Sequence, residues 1–221
     1  MTKSILMLCV VVAGGSMSGL SWADEAIGVQ EGSAKAKPSS VTGFQSALRL
    51  GYAVPFGKAD GTSHLADYAN AIIPIELDIG YRIHRNFFVG IAGQYAFGLL
   101  NQDKFFKGCK DCSGRDARVG LILEYYPVPE VSFRPWLGVG TGYEWAHGTW
   151  SRINGTYHGF ELINLQVGGD YKLAPHFGIG PFASFSVGEF SQFEFLGSSN
   201  IDQKALHEWL LLGIRGVYEP D

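Results

Sequence analysis

The 221 residues suit a single domain, and 17 Lys+Arg against 21 Asp+Glu give a formal charge of −4. Charged residues reach only 17% against about 25% in a typical soluble domain, while the chain holds 30 glycines and 14% aromatics. This balance excludes a basic nucleic-acid-binding domain, the aromatics exclude wholesale disorder, and a mean hydropathy of +0.07 excludes a bundle of transmembrane helices.

Residues 1–23 have the pattern of a secretory signal peptide. Lys3 is followed by an apolar run over residues 5–13, and Ser21-Trp22-Ala23 offers small residues for cleavage before Asp24. The run is too short to span a bilayer as a helix, which needs roughly 20 residues. Residues 24–42 lack any hydrophobic period and read as a flexible tail, because such a stretch cannot offset its ordering entropy by burial. Residues 43–221 then form the folded domain.

From residue 43 onward the dominant period is two. Ile73, Ile75, Leu77, Ile79 and Tyr81 alternate with Pro74, Glu76, Asp78 and Gly80; Val119, Leu121, Leu123 and Tyr125 alternate with Arg118, Gly120, Ile122 and Glu124. Successive side chains of a strand point to opposite faces, so each run predicts a two-faced strand. Eight such segments follow in order: 44–54, 72–82, 87–98, 117–126, 134–145, 160–173, 177–189 and 205–218.

Alternation does not say which face is inside. Three features choose. The connections alternate between long (55–71, 99–116, 146–159, 190–204) and short (83–86, 127–133, 174–176), as in an outer-membrane barrel. Aromatics collect at strand ends: Tyr81, Phe87, Phe88, Tyr125, Tyr126, Phe133, Tyr171, Phe177 and Tyr218 near the short turns, and Tyr52, Tyr95, Phe97, Tyr143, Trp145, Phe185 and Phe190 near the long loops. Two such bands match the girdles at the two lipid–water interfaces. Ten residues at roughly 3.3 Å, tilted by about 40°, rise about 25 Å, the height of a bilayer's apolar band. The prediction is an all-β, eight-stranded antiparallel up-and-down transmembrane barrel with its apolar face outward. It closes on itself because an open edge in hydrocarbon leaves backbone groups unpaired. An even strand count puts both termini on the short-turn, periplasmic side. A soluble lipocalin-like barrel, apolar inside, is the opposite assignment of the same pattern.

On that assignment Arg49, Glu76, Asp78, Arg118, Glu124, Glu144, Asp170, Lys172 and Arg215 point inward, with Gln94, Asn164 and Gln166 near them. Arg49 should meet Glu76 or Asp78, and Arg215 should lie beside them, because the last strand pairs with the first. Such a lumen either conducts small solutes or is filled by its own paired charges. An eight-stranded barrel is just wide enough for side chains to fill it, so the filled interior is expected here. Inward glycines leave room for Trp136 and Phe182.

Cys109 and Cys112 form a C-x-x-C in the second long loop. The spacing admits a redox centre, half a zinc site or a local disulfide. No second ligand pair or βαβ context accompanies it, so a disulfide is expected, with no metal and no cofactor. His64, His147, His158 and His207 read as solvated loop residues. A lipid-modifying enzyme with rim histidines is the alternative, although no G-x-S-x-G is present. Asn154-Gly155-Thr156 reads as a turn.

The chain resembles the small eight-stranded outer-membrane barrels of Gram-negative bacteria, the OmpA, OmpX and OmpW type. The specific part is the last segment, residues 209–218, with Gly213, alternating bulky apolar residues and the near-terminal aromatic Tyr218. It is similar to the signal that the barrel-assembly machinery reads. Glu219-Pro220-Asp221 beyond the aromatic and Gly216 within the segment depart from that pattern. Pro135-Trp136-Leu137-Gly138-Val139-Gly140 and Gly180-Pro181-Phe182 are similar to phrases in myxobacterial barrels of this type. The resemblance implies a monomer set among outer-membrane lipid and lipopolysaccharide, with no shared enzymatic activity and no nucleic-acid partner. Its role would be structural or surface-binding, through four long extracellular loops, with a narrow pore as the alternative.

Overall fold

A computed structural model describes residues 42–104, 106–109, 111–150, 153–195 and 198–220. The expected signal peptide and tail lie outside the described residues. The strands are β1 (Gly43–Gly57), β2 (Ala69–His84), β3 (Phe87–Leu100), β4 (Ser113–Tyr125), β5 (Phe133–Trp150), β6 (Ile153–Ala174), β7 (Phe177–Glu194), a short β8 (Ser198–Asn200) and β9 (Leu206–Tyr218). One helical turn, α1 (Leu65–Tyr68), lies between β1 and β2.

Every pairing is antiparallel between neighbours, and β1 pairs with β9, which pairs with β7. Eight strands therefore close one ring, and β8 folds back to pair with the loop end of β7. The β1–β2 ladder is interrupted between Leu50↔Ile75 and Ala53↔Ile72, opposite Pro74, which has no N–H to donate. Short turns join β2–β3, β4–β5 and β6–β7 at one end, where Gly43 and Tyr218 also lie.

The faces sort as the alternation predicts. Ile75, Leu121 and Val167 point outward, 45%, 64% and 50% exposed, whereas Asp78, Glu124 and Arg215 are fully buried. Outward aromatics form two bands. At the turn end, Phe87 packs on Tyr125 and Phe133 on Tyr171 across neighbouring strands; at the loop end, Tyr143 packs against Trp145 and Phe160. Phe88, Tyr126 and Phe190 do not join the girdles. They point inward and are wholly buried. Phe88 alternates with outward Phe87, and its ring lies where side chains at Gly80 and Gly90 would otherwise stand.

The expected loop 146–159 is largely sheet. β5 and β6 keep pairing far above the girdle, through Trp145↔His158, His147↔Thr156 and Thr149↔Asn154. β5 runs to Trp150 and β6 starts at Ile153, so Asn154 and Gly155 belong to a strand and not to a turn. Ladder bonds at alternate pairs satisfy backbone groups that a loop would leave to water.

Candidate functional site

The interior is built in tiers. At the turn end, Glu219 follows the last strand and reaches back across the mouth. Its two carboxylate oxygens accept from Arg82 at 2.6 Å and from Arg134 at 2.7 Å. Arg82 also donates to Gln45 at 2.6 Å, and its guanidinium lies 4.1 Å from the Tyr126 ring centre. Glu219, just past the terminal aromatic, thus links two arginines across the turn-end mouth.

The middle tier centres on Glu124. One oxygen accepts from Arg49 at 2.7 Å; the other accepts from Arg215 at 2.8 Å and from the Tyr126 hydroxyl at 2.7 Å. Arg49 also donates to Gln166 at 2.6 Å. It approaches Asp78 to 2.7 Å and Glu76 to 3.4 Å as ion pairs. The register explains the gathering, since Arg49 lies opposite Glu76 on β2 and opposite Arg215 on β9. Arg215 reaches Asp170 at 3.8 Å, and the Trp136 indole donates to Asp170 at 3.3 Å. Both guanidiniums lie over Trp136, Arg215 at 4.4 Å and Arg49 at 5.2 Å. A methyl group at Gly168 would come within 2.5 Å of the indole, so that glycine makes room for it.

In the upper tier Arg118 lies 3.3 Å from Asp116, 3.3 Å from Glu144 and 3.1 Å from Glu161. The Trp209 indole donates to Glu144 at 3.1 Å, and His207 Nε2 lies 3.0 Å from the same carboxylate. His207 is buried and stacked on Phe190, with ring centres 4.0 Å apart. It is a lumen residue, not a solvated loop histidine, because the pairing of Gly57 with His207 continues β9 to that height.

Of the nine inward charges read from the pattern, Lys172 departs. It is exposed at the turn-end rim, next to the register shift between Lys172 and Ala174, below the enclosed part of the wall. Sequence reasoning missed Arg82, Asp116, Arg134, Glu161 and Glu219. Glu161 was hidden by a bulge: register shifts at Gly140/Gly142 and Glu161/Ile163 put Leu162 and Ile163 outward together. An extra residue inverts the parity that alternation relies on. Five arginines (49, 82, 118, 134, 215) now face eight carboxylates (76, 78, 116, 124, 144, 161, 170, 219).

Above this tier lies a cavity of about 200 Å³ at the loop end. Its floor is Trp209, Phe190 and Asp116, and its roof is Leu65, Tyr68 and Phe106. The roof is tied down: Asn101 donates to the Ala66 carbonyl at 2.8 Å, Lys104 pairs with Asp67 at 2.6 Å, and Gly61 N–H donates to the Gln203 carbonyl at 2.8 Å. Burial raises the Asp60 carboxyl, but hydrogen bonds from Thr62 and Ser63 outweigh it and hold the group below its ordinary range. The Lys104 hydrogen bond does the same for exposed Asp67.

Cys109 and Cys112 are joined as a disulfide, with Cα atoms 5.9 Å apart, in the β3–β4 loop. Among the described residues no group of three or more His, Cys, Asp or Glu gathers as metal ligands. The remaining rim histidines have local roles: His147 bonds Thr156 at 2.8 Å and His158 bonds the Tyr143 hydroxyl at 2.6 Å, while His64 caps α1.

No family model matches the chain, and no curated protein matches it. Among solved structures, the outer membrane protein OprG of Pseudomonas aeruginosa is similar over 81% of this chain and 98% of its own, with TM-score 0.46 and 14% identity. Neisserial surface protein A is similar over 80% and 96%, with TM-score 0.45 and 14% identity. Ail, the attachment invasion locus protein of Yersinia pestis, is similar over 78% and 99%, with TM-score 0.43 and 14% identity.

Proposed function

We propose that the chain is a non-enzymatic integral protein of the bacterial outer membrane, with a plugged interior and a surface-binding role at its loop end. One observation carries this reading. The outward face is apolar around the whole ring while the inward face is ionic, and only a lipid surrounding stabilises that arrangement. In water the same face would be an exposed apolar patch far beyond the few hundred Å² that soluble monomers carry.

The short turns, with the Gly43 end of β1 and the Tyr218 end of β9, then face the periplasm, and the loop end faces outward. Gly213 and Tyr218 of β9 serve the assembly machinery, and lipid and lipopolysaccharide surround a monomer. The tiers support the plug. Arg49, Arg215, Glu124 and Trp136 occupy the middle of the lumen, with side chains nearly inaccessible to solvent. Moving them apart would strand charges in a low-dielectric interior.

The test is purification from the outer-membrane fraction, followed by gel mobility before and after boiling and by recording in planar bilayers. The expected results are a faster-migrating unboiled band and flat current traces. A soluble periplasmic product would overturn the membrane assignment, and resolved single-channel steps would overturn the plug.

A further inference from the structure

The loop-end cavity has a structural cause that its apolar lining alone does not reveal. Gly98 of β3 pairs with Gly114 of β4, Gly114 with Gly148 of β5, and Gly148 with Gly155 of β6. Four adjacent strands thus lack a side chain at one height. Glycine weakens a strand, and a row of four needs a return. The return is space at Gly148, where an added Cβ meets no described atom within 4 Å, while the side chains of Leu100 and Phe193 lie over Gly114 and Gly155.

The adjoining wall, on β6 and β7, is aromatic. The Tyr157 ring lies 4.4 Å from Phe193 and 5.5 Å from Phe190, and Tyr68 approaches Tyr157 at 6.1 Å. Leu65 and Phe106 cover the space from above, while Trp150, Ile153 and Phe195 form an exposed apolar rim. Polar groups in the lining are few, Asp116 at the floor with Arg115 and His147, and water needs two to four polar partners, so the apolar remainder suits a hydrocarbon; an apolar cavity of about 150 Å³ stays dry and accepts benzene.

We propose that this cavity is a binding site for an uncharged aromatic hydrocarbon of one or two rings, admitted from the loop side and stopped by the floor of Trp209 and Phe190. The volume of about 200 Å³ fits that size. The open wall at Gly148 admits the flat face of a ring, and the tilted aromatic wall supplies edge-to-face contacts. The site deepens the surface-binding reading and rests on it for orientation only, since the pocket exists whichever compartment the loop end faces.

The experiment follows 1-fluoronaphthalene by ¹⁹F NMR with the full chain, in lipid nanodiscs or in whichever folded form is obtained. Wild type should show a saturable bound resonance at one equivalent, with Kd on the order of 10–100 µM for a ligand of this size. Gly148→Phe fills the space and should weaken binding by at least about tenfold, with the unboiled gel band unchanged. Leu121→Phe, on the lipid face, should bind as wild type. Should Gly148→Phe fail to fold, Gly148→Leu replaces it with the same expectation.

A resonance that grows without saturation as in empty nanodiscs, or equal binding by folded Gly148→Phe, would overturn the proposal. Insertion is read separately from band shift and flotation with vesicles. A chain that inserts yet shows no bound resonance defeats the pocket alone. A chain that binds but stays soluble defeats the membrane assignment alone.

Discussion

Replacing Glu124 by Gln removes one charge and almost no volume from the most crowded point of the lumen. Glu124 is the shared partner of Arg49 and Arg215. After the substitution Arg49 keeps Asp78 at 2.7 Å, whereas Arg215 keeps, among the described residues, Asp170 at 3.8 Å as its ion pair and the Tyr126 hydroxyl at 3.2 Å. Both arginines are fully buried, so the loss is that of a broken buried pair, about 3–5 kcal/mol. Glu130→Gln is the control. Glu130 pairs with Arg85 at 3.0 Å but is 71% exposed, and its loss should stay near or below about 0.5 kcal/mol. Urea unfolding in vesicles, followed by tryptophan emission, measures both, and Trp136 under Arg215 lies close to the change. The double variant Glu124→Gln/Arg215→Met should recover about 2 kcal/mol of the summed single losses, since the stranded cation is gone. A Glu124→Gln loss no larger than the control, or strict additivity in the double variant, would refute the idea that this carboxylate neutralises two buried guanidiniums.

Leu121→Arg places a charge on the outward face near mid-strand, where lipid contact should make it cost about 2–4 kcal/mol by the same unfolding assay; a loss below 1 kcal/mol (roughly the interfacial value) would place that residue outside hydrocarbon. Glu219→Gln should lower stability by about 1–3 kcal/mol, because it weakens charged hydrogen bonds to Arg82 and Arg134. An unchanged urea midpoint would show that the residues past Tyr218 are not part of the closure.

The strand order, the outward face and much of the lumen were legible in the sequence because a strand has a period of two. Arg49, Asp78 and Arg215 could be brought together from parity and neighbour order alone, and their distances follow from the register. Parity fails where a bulge inserts a residue, which is why Glu161 joined Arg118 unannounced. It is also silent beyond a strand's end, which is why Glu219 looked like a departure from a terminal pattern and not like a closing contact. The cavity belongs wholly to the tertiary level. Gly98, Gly114, Gly148 and Gly155 are separate along the chain, and only strand pairing aligns them in one row. Local sequence sets which way each side chain points; the stagger between strands decides at what height it arrives and whom it meets.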